Sequence, residues 1–451
     1  MPIALIILAA GQGSRMNSDL PKVLHPLGGA PLLAHAMDAG AALMPEKTVV
    51  VAGHGYEAVA KAAKAHDPEA VVVRQAEQLG TSHAVAQARE ALAGFEGDAV
   101  VLYGDTPFIR PETLEAMLAA RASHPVVFLG FEAADPKRYG RFITEGSALE
   151  RIVEYKDASE AERAITLCNS GVMAADAQTM FRLIEQVGND NASGEYYLPD
   201  LVALARAEGL SSGFVTCDEA ETLGINTRAE LAGAEALLQA AKRSEALENG
   251  VTLVAPETVF FAHDTYVGGD TVIEPNVVFG PGVTVENGAK IRAFSHLEGC
   301  HVARGGVIGP YARLRPGAEL AEDVRIGNFV EVKNAQLAEG VKVNHLSYIG
   351  DAAIGEQTNV GAGTITCNYD GVFKHRTEIG ARAFIGSNTM LVAPVKVGDE
   401  AMTASGSVIT SDVEAGALAV ARAKQAVKPG LARRMFEKLK AAKARKAKEQ
   451  E

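Results

Sequence analysis

Residues 266–298 read YVGGDTVIEPNVVFGPGVTVENGAKIRAFSHLE, and an aliphatic or aromatic residue recurs in this stretch at every sixth position. These residues are Val267, Ile273, Phe279, Val285, Ile291 and Leu297. The spacing resumes from Ile308 to Val332, shifts slightly at Leu337, and returns from Ile379 to Val397. Helices repeat about every 3.6 residues and strands every two, so neither explains this period. A fixed short period predicts a solenoid whose coils bury one inward residue on each flat side.

Glycine directly follows many of the repeated apolar residues. It does so at Gly268, Gly280, Gly309, Gly327, Gly350, Gly355, Gly361, Gly380, Gly386 and Gly398. Because glycine tolerates positive φ, we expect tight corners of that conformation at these positions. The pattern is the hexapeptide repeat of parallel β-helices, and we expect a left-handed parallel β-helix in the second half of the chain.

The length and composition of the chain predict an ordinary soluble protein with two domains. At 451 residues it exceeds the size at which one core usually keeps growing, and 47% hydrophobic with 22% charged residues argues against extended disorder. The formal charge of -13 argues against affinity for nucleic acid or anionic membranes. No apolar run approaches a membrane span, and four distant cysteines without a C-x-x-C pair disfavour zinc and disulfides. A reducing cytoplasm fits these features.

Short β-branched runs alternate with alanine-rich helical stretches in the first half. We expect strands at 3–8, 48–52, 71–74, 99–103 and 126–131, and helices at 32–44, 58–65, 84–92 and 111–122. This order predicts a Rossmann-like α/β domain, with a mostly parallel sheet covered by helices on both faces. Ligands bind beyond the carboxyl ends of the strands in such sheets, which favours the loops at Gly11, Gly104 and Asp105 as sites.

A capped helical pattern separates the two halves. Thr227 and Glu230 form a predicted capping box, apolar residues follow at helical spacing, and Asn249-Gly250 ends the pattern. We therefore expect a first domain over 1–227, a linker helix over 228–249 and the β-helix domain over 250–451. The stretch from Arg433 to the end is rich in lysine and arginine, and we favour a solvated, partly helical tail over a binding arm.

The opening strand runs into a glycine loop, LAAGQGSRM at 8–16, which Pro21-Lys22 follows. Gly11 and Gly13 would let backbone N–H groups approach an anion, while Arg15 and Lys22 supply positive charge. The loop lacks both the G-K-[ST] ending of a P-loop and the third glycine of a dinucleotide-binding fingerprint. By itself, this loop leaves nucleotide binding and a plain tight turn both open.

Further motifs follow in order. They are QAEQLGT at 75–81, YGDTP at 103–107, YGR at 139–141, IVE at 152–154, NSG at 169–171 and GINT at 224–227. Together with the glycine loop and Pro21-Lys22, they resemble the motifs of sugar-phosphate nucleotidyltransferases. With the β-helix added, the chain resembles a family of bifunctional bacterial enzymes that are both N-acetylglucosamine-1-phosphate uridyltransferase and glucosamine-1-phosphate N-acetyltransferase. The resemblance covers essentially the whole chain before the basic tail.

The resemblance implies a uridyltransferase site in the first domain. The residues implied to bind UTP or the UDP-sugar are Leu8, Ala9, Ala10, Gly11, Lys22, Gln75, Gly80, Thr81, Tyr103, Gly104, Asp105, Gly140, Glu154, Asn169 and Asn226. Asp105 and Asn226 would ligate Mg2+, a hard cation that prefers oxygen ligands. Arg15 and Lys22 would stabilise the charge that passes to pyrophosphate when the sugar phosphate attacks the α-phosphorus of UTP.

The six-residue rhythm breaks at TCNYDG, 366–371, and does not restart until Ile379. A loop that interrupts a solenoid is either a tolerated insertion or a functional arm. Shortly before it, NHLSYIGD at 344–351 resembles the catalytic segment of the family, which implies that His345 is the general base for the amine of glucosamine. Taken by itself, that histidine would be structural or exposed. Cys367 as an acetylated nucleophile is the alternative, although no base beside it is evident.

The same resemblance implies the other contacts of the acetyltransferase site. Arg315, Lys333, Tyr348 and Asn359 would bind glucosamine 1-phosphate. Acetyl-CoA would be bound by Ala362, Asn368, Tyr369, Ser387, Ser405 and Arg422, where Ser405 departs from the alanine of the family pattern. The family forms homotrimers whose acetyl sites lie between neighbouring β-helices and are completed by a third chain.

Two other functions stay open beside a cytoplasmic enzyme that makes UDP-N-acetylglucosamine for peptidoglycan and lipopolysaccharide precursors. One is a single-activity nucleotidyltransferase whose β-helix assembles or regulates subunits, and the segment around His345 argues against it. The other is a non-enzymatic carbohydrate-binding solenoid, and the density of phosphate-loop motifs in the first half argues against it.

Overall fold

The computed structural model describes residues 1–136, 139–146 and 148–448, and the final residues of the predicted tail, 449–451, lie outside them. The chain divides into two compact units. The first comprises Met1–Glu248 with Phe260–Thr265 and Phe279–Pro281, and the second comprises Asn249–Val259, Tyr266–Val278 and the chain from Gly282 onwards. The predicted three-part division with a separate linker at 228–249 stays a prediction.

The first unit alternates strands and helices as the sequence predicts. Its elements are β1 Ile3–Ala9, β2 Pro26–Leu27, β3 Ala30–Pro31, α1 Leu32–Ala41, β4 Lys47–Ala52, α2 Tyr56–His66, β5 Val71–Arg74, α3 Thr81–Ala86, β6 Asp98–Tyr103, α4 Pro111–Arg121, β7 Val126–Glu132, β8 Arg141–Glu145, β9 Ala148–Val153, α5 Glu160–Arg163, β10 Leu167–Asp176, α6 Ala177–Ile184, α7 Leu201–Ala207, β11 Ser212–Cys217 and α8 Arg228–Glu248. α3 begins and ends earlier than expected. It ends earlier because turns with i to i+3 hydrogen bonds replace the helix after Ala86.

The sheet of the first unit has the strand order β11-β7-β10-β6-β1-β4-β5, with β8 and β9 attached beside β10. β1 is parallel to both β4 and β6, whereas β10 is antiparallel to β6 and β7. One cluster of buried side chains lies on each face of the sheet, with Ile6 and Val101 in one and Ile7 and Val100 in the other. The predicted α/β architecture is therefore confirmed, and the carboxyl end of β1 lies between two parallel neighbours.

α8 packs against other elements of the first unit. The predicted capping box is present, since Thr227 N donates to Glu230 Oε2 at 3.0 Å and Glu230 N donates to Thr227 Oγ1 at 3.2 Å. Ala234 is buried in the same apolar cluster as Leu27. Gln239, only 3% exposed, exchanges two hydrogen bonds with the backbone of Phe261, so burial of its amide leaves no polar group unpaired.

The second unit consists of short strands followed by one helix. Its elements are β12 Thr252–Leu253, β13 Tyr266–Val267, β14 Val272–Ile273, β15 Val278–Phe279, β16 Thr284–Val285, β17 Lys290–Ile291, β18 His296–Leu297, β19 Cys300–Val302, β20 Val307–Ile308, β21 Arg313–Leu314, β22 Ala318–Leu320, β23 Arg325–Asn328, β24 Glu331–Leu337, β25 Lys342–His345, β26 Tyr348–Ile354, β27 Asn359–Val360, β28 Ile365–Cys367, β29 Thr377–Ile379, β30 Phe384–Ile385, β31 Met390–Val392, β32 Val395–Val397, β33 Met402–Thr403, β34 Val408–Ile409, β35 Leu418–Ala419 and α9 Leu431–Lys448. Phe279, the second residue of β15, is counted with the first unit together with Gly280 and Pro281.

The strands form three parallel ladders, which we call faces 1, 2 and 3. Face 1 is the ladder from β12 to β35, face 2 runs from β15 to β34, and face 3 runs from β13 to β32. Lys290 pairs with Val307, and Val307 pairs with Arg325, so one turn of the coil takes 17 or 18 residues. The repeated residues Ile291 and Ile308 are 0% exposed. The left-handed parallel β-helix predicted from the six-residue spacing is thus confirmed.

The predicted role of the repeated glycines is wrong for most of them. Gly309 has a φ of 95°, but Gly327 and Gly361 lie outside the left-handed region. The corners with positive φ fall three residues after the inward residue, at Asp270, Asn276 and the equivalent positions of later coils. A Cβ on Gly327 would overlap the carbonyl of Asn344 on the next coil. Glycine is therefore needed there for close approach between coils, not for its backbone conformation.

The predicted interruption of the coil is present between β28 and β29. Asn359 pairs with Phe384, 25 residues later, instead of 17 or 18. The additional residues form a loop over 368–376, which we call the arm. No helix in the described residues is long and apolar enough to cross a membrane.

Candidate functional sites

The glycine loop after β1 closes over Lys22. Gly13 has a φ of 65°, and a Cβ on it would come within 2.5 Å of the Lys22 side chain, so a larger residue would displace the lysine. Met16 is buried, and Arg228 Nε donates to its carbonyl at 3.3 Å. Arg15 lies between these anchors on a single 3-10 turn and is exposed, which leaves its guanidinium available for an anion.

Lys22 joins the two predicted metal ligands. Its Nζ forms an ion pair with Asp105 Oδ2 and donates to Asn226 Oδ1 at 2.9 Å. The Lys22 and Asp105 side chains are only 13% and 18% exposed, so their charges need this pairing. A carboxylate and an amide oxygen that converge on one cation form a donor set that fits Mg2+, which usually takes one or two protein ligands beside phosphates and water.

Three of the residues predicted to bind UTP or the UDP-sugar, Gln75, Gly80 and Thr81, lie together at the start of α3. Gln75 is buried, and its Nε2 donates to Gly80 O at 3.2 Å. Gly80 has a φ of 121°, and a Cβ there would come within 2.5 Å of the Tyr196 carbonyl. Thr81 Oγ1 accepts from Leu198 N at 3.0 Å. These hydrogen bonds and this close approach hold the segment from Gln75 to Thr81 in one conformation.

Tyr103 connects the nucleotide end of the site with its sugar end. Burial raises the pKa of the Tyr103 hydroxyl, and the carboxylates of Asp105 and Glu154 raise it further, whereas a hydrogen bond with Thr81 opposes them. The hydroxyl therefore stays protonated and can donate a hydrogen bond. Asp105 and Glu154 therefore both lie near enough to Tyr103 for their charges to act on its hydroxyl.

The remaining predicted residues of this site line the same sheet edge. Gly104 N donates to Leu8 O at 3.0 Å, which holds the YGD segment against the stretch from Leu8 to Gly11 that includes Ala9 and Ala10. Asn169 N donates to Gly140 O at 2.9 Å, and a Cβ on Gly140 would come within 3.0 Å of Glu154 Oε1. Burial, followed by Asp157 and Asp200, raises the pKa of Glu154, which suits a group that exchanges hydrogen bonds with sugar hydroxyls.

His345 ends β25 at the carboxyl edge of face 1 and is exposed. Its Nδ1 lies 2.9 Å from Asn328 Oδ1, one coil below. An amide oxygen only accepts hydrogen bonds, so this contact puts the proton of a neutral imidazole on Nδ1 and leaves Nε2 with a lone pair that can accept a proton. Asn328 was not among the predicted residues, and only the repeat register could have identified its contact with His345.

The predicted acetyl-CoA residues continue the column that begins at His345. Gly363 N donates to His345 O at 3.1 Å, and Asn388 N donates to Ala362 O at 2.7 Å. On the following coils, Gly406 N donates to Ser387 O at 2.8 Å, and Arg422 Nη1 donates to Ser405 O at 2.6 Å. His345, Ala362, Ser387 and Ser405 therefore occupy equivalent positions on successive coils, and the Arg422 side chain reaches back to Ser405 at the end of this row.

Three of the four predicted sugar-phosphate residues lie together on face 2. Arg315 Nη1 contacts Glu331 Oε1 at 2.7 Å, and Glu331 pairs in register with Tyr348. Lys333 faces Lys374 of the arm, which lowers the pKa of Lys333 by direct contact and by charge repulsion. The sequence analysis missed Lys374. Lys333 and Lys374 therefore concentrate positive charge near Arg315.

Asn359 does not join that cluster within one chain. It begins β27 on face 1, where it pairs with Lys342 and Phe384. A single chain thus brings three of the predicted sugar-phosphate residues to face 2 and leaves the fourth on face 1.

The arm is tied to face 2 through Asn368. Its Nδ2 donates to Asp351 Oδ2 at 2.5 Å and lies 3.4 Å from Tyr348 Oη. Tyr369 is 61% exposed at the base of the arm, and its backbone pairs antiparallel with that of Lys374. Burial raises the pKa of the adjacent Cys367 thiol, which disfavours the thiolate that a nucleophile requires. This geometry favours direct transfer over an acetylated cysteine.

Comparison with known families defines the class of the chain. Residues 5–170 match the model of the MobA-like NTP transferase domain, and residues 264–299 match the bacterial transferase hexapeptide, a model of six repeats. The class is a nucleotidyltransferase domain joined to a hexapeptide-repeat transferase domain.

Relatives of the same architecture match along the whole chain. A "Bifunctional protein GlmU" of Ruegeria sp. (strain TM1040) is 71% identical over 99% of this chain and 100% of its own length. The proteins of that name from Ruegeria pomeroyi and Jannaschia sp. (strain CCS1) are 68% and 62% identical over 99% or more of both chains. The chain belongs to the GlmU family of bifunctional proteins. The predicted family, and the prediction of an enzyme with two transferase activities, are confirmed.

Proposed function

We propose that the protein catalyses two consecutive reactions in separate sites. The second unit transfers the acetyl group of acetyl-CoA to the amine of glucosamine 1-phosphate. The first unit transfers UMP from UTP to the resulting N-acetylglucosamine 1-phosphate and releases pyrophosphate, giving UDP-N-acetylglucosamine. The observation that carries the proposal is the separation of the Lys22, Asp105 and Asn226 cluster from the His345 column, each within its own unit.

In the uridyltransferase site of the first unit, the phosphate of the sugar needs little acid or base catalysis. A phosphate monoester is largely dianionic near neutral pH because its second pKa is about 6. Asp105 and Asn226 would hold Mg2+, which neutralises charge on the triphosphate when bound. Arg15 and Lys22 would bind phosphate oxygens, and Lys22 would exchange its Asp105 partner for them. The sugar would lie against Glu154 and Asn169, in line with the α-phosphorus.

In the second site, His345 would act on the ammonium of glucosamine. Nε2 takes one proton from the ammonium and releases it to solvent, and the neutral nitrogen then attacks the thioester carbon of acetyl-CoA while it gives a second proton to Nε2. The C–S bond breaks, and the departing thiolate of CoA takes a proton from the imidazolium. Asn328 keeps the Nδ1 proton in place throughout, so the base is regenerated in the same tautomer.

Substrate binding in the second site would use both groups of side chains on the β-helix. Arg315 and Lys333, together with Lys374, would bind the phosphate of glucosamine 1-phosphate, and Tyr348 its sugar. Ala362, Ser387, Ser405 and Arg422 would line the path of acetyl-CoA, with Asn368 and Tyr369 beside it.

We also propose that the protein works as a homotrimer in the cytoplasm. The separation of Asn359 from the face 2 cluster supports a site completed by a second chain. An exposed ladder of stacked rings also supports it, since Phe294 and Tyr311 lie 4.9 Å apart and Tyr311 and Phe329 5.3 Å apart. These rings are about half exposed in one chain, and association would bury them. Free cysteines fit a reducing compartment.

The alternative of a single-activity nucleotidyltransferase is less well supported. A purely structural β-helix would not need an oriented histidine beside a row of aligned polar positions, nor two lysines held together. The density of phosphate-loop residues in the first unit also disfavours a non-enzymatic solenoid.

The test is incubation of the full-length protein with acetyl-CoA, glucosamine 1-phosphate, UTP and Mg2+, with free CoA, pyrophosphate and UDP-N-acetylglucosamine each quantified. Omission of acetyl-CoA should stop the formation of all three products. Supplied N-acetylglucosamine 1-phosphate should then restore pyrophosphate and UDP-N-acetylglucosamine but not CoA. Pyrophosphate release without any CoA release, under all conditions, would favour the single-activity alternative.

A further inference from the structure

The nitrogen of the Gln75 side-chain amide is fully paired. Nε2 donates to Gly80 O at 3.2 Å and lies 3.1 Å from His83 Nδ1. An amide nitrogen carries two hydrogens, and these two acceptors account for both of them. Because Gln75 is buried, this pairing fixes which end of the amide points inward.

The oxygen of the same amide has no partner. In the part of the chain that the structure describes, Gln75 Oε1 accepts no hydrogen bond, and it is not one of the unpaired polar atoms that are shielded from solvent. Oε1 is therefore the atom through which this buried side chain reaches solvent. It can offer a ligand only a hydrogen-bond acceptor.

This free acceptor lies at the sheet edge that carries the proposed UTP site. Gln75 directly follows β5, and its backbone N donates to the carbonyl of Ala52, the last residue of β4. β4 is the parallel neighbour of β1, which leads into the glycine loop. A Cβ on Gly53 would come within 2.7 Å of Ala10 O and 2.9 Å of Gln78 Nε2. The segment that contains Gln75 therefore packs beside the start of that loop.

The imidazole of His83 lies between two amide nitrogens and can serve only one of them. Gln87 Nε2 lies 3.2 Å from His83 Nε2, and a neutral imidazole has a single acceptor nitrogen. Gln87 Nε2 also donates to His83 O at 3.0 Å, and Gln87 is partly exposed, so water can accept its second hydrogen. The buried Gln75 amide has no such substitute, and a buried donor without a partner costs more than an exposed one. His83 Nδ1 therefore accepts from Gln75.

We propose that His83 is a positioning residue that sets base selection in the uridyltransferase site. By accepting the second hydrogen of the Gln75 amide, it keeps Oε1 turned toward the nucleotide. Oε1 can then accept from the ring N–H that uracil carries between its two carbonyl groups. Cytosine has an unprotonated ring nitrogen at that place, so two acceptors would face each other and neither would be paired.

The inference rests on the proposed uridyl transfer and deepens it, because nothing in the resemblance assigns His83 a role. Without the imidazole, one hydrogen of the Gln75 amide loses its acceptor, and the amide is free to turn and offer either end to a base. The predicted defect is therefore a loss of discrimination between bases, and not only a loss of rate.

The experiment compares UTP with CTP as substrates of the full-length His83→Ala protein, with N-acetylglucosamine 1-phosphate as acceptor and pyrophosphate release as the readout. We expect KM for UTP to rise about tenfold with little change in kcat, and the UTP to CTP ratio of kcat/KM to fall by about tenfold or more. The triphosphate of 5-methyluridine has the same ring N–H and should lose as much as UTP. KM for N-acetylglucosamine 1-phosphate should change by less than about twofold.

Two further variants separate positioning from folding. His83→Asn should restore most of the ratio, because its side-chain oxygen can take the place of Nδ1 as the acceptor. His83→Leu fills the space of the ring without an acceptor, and it replaces the alanine variant if thermal unfolding shows that the alanine variant is not folded. The matched control is His66→Ala, which removes another partly exposed histidine of the first unit and should leave the ratio unchanged.

An unchanged UTP to CTP ratio in the folded variant that lacks the acceptor would overturn the inference. So would an equal loss of kcat/KM for UTP and CTP, because His83 would then support the fold and not base selection. The preference of the unmodified protein for UTP is measured first, since its absence would refute the proposed uridyl transfer itself.

Discussion

The two sites use opposite means of bringing polar groups together. In the first unit, Lys22, Asp105 and Asn226 come from distant parts of the sequence and meet in a half-closed pocket at one sheet edge. In the second unit, His345 and Ser387 lie on the outer surface of a straight coil. Only the register of successive coils brings them into one row. A sheet edge can enclose a substrate with one chain, whereas a convex β-helix needs a second surface to do so. From this contrast we expect the two sites to work independently and to depend differently on assembly.

The largest expected effect separates the two chemistries. His345→Ala should lower acetyl transfer by about 100- to 10,000-fold, because the ammonium of glucosamine then loses its base. Uridyl transfer should stay within twofold, since the Lys22 cluster belongs to the other unit. The measurement is CoA release and pyrophosphate release by the same preparation.

Asn328→Ala is the companion variant. We expect it to lower the rate of acetyl transfer by less than His345→Ala does. Its effect should shrink when the pH is raised, because the tautomer matters less once the amine is already neutral. Loss of both activities in a protein with unchanged thermal unfolding would break the comparison between independent sites.

The second prediction reverses the first. Asp105→Asn keeps the size of the side chain but removes the charge that faces Lys22 and would face Mg2+. Uridyl transfer should fall about a hundredfold or more and should require a higher Mg2+ concentration, whereas acetyl transfer should not change. A Mg2+ titration of pyrophosphate release checks this expectation, with acetyl transfer as the internal control. Unaltered Mg2+ dependence would show that Asp105 is not a ligand.

The contrast also explains what the sequence could predict. The period of six identified the inward residues, such as Ile291, because burial in a solenoid depends only on spacing. It did not identify the corners, because glycine suits both close approach and positive φ, and Gly327 serves the first. Motifs gave the members of the first site, but the ion pair of Lys22 with Asp105 spans 83 residues and depends on which strands are neighbours.

In the second unit, sequence reasoning missed residues that carry no motif of their own. Lys374 becomes relevant only because the arm folds back toward Lys333. Asn328 becomes relevant only because it lies one coil below His345. Asn359 was grouped with Arg315, but the coil turns them onto different faces. Register and chain reversal, which determine these positions, are properties of the folded solenoid and not of local sequence.

A third prediction concerns stability and should affect only one unit. Gly327→Ala should destabilise the β-helix by about 1–3 kcal/mol, because the added methyl overlaps the backbone of the next coil. Acetyl transfer should then be lost at a lower temperature than uridyl transfer. Gly233→Ala in α8 is the matched control, since a Cβ there meets nothing within 4 Å and the change should stabilise by about 0.5–1 kcal/mol. Equal midpoints for both variants would contradict the proposed close approach of the coils.

The smallest expected effect is a pH dependence confined to the second unit. Burial alone would raise the pKa of Asp351, but hydrogen bonds from Asn334 and Asn368, at 2.5 Å each, and the charges of Lys333 and Lys374 lower it overall. A carboxyl whose pKa is lower in the folded state stabilises the fold above its unfolded pKa of about 3.9 and loses this contribution as the pH falls through the folded value. Asp351→Asn should therefore reduce the stability of the β-helix at pH 7, and the difference from the unmodified protein should shrink below about pH 4. Denaturant unfolding across that range measures it, with Glu322→Gln in the β-helix as the control, because the Glu322 side chain is exposed and has no ion-pair partner among the described residues. A difference that grows toward acid pH would mean that Asp351 is protonated in the folded protein, and the tie between the arm and face 2 would then be a neutral hydrogen bond.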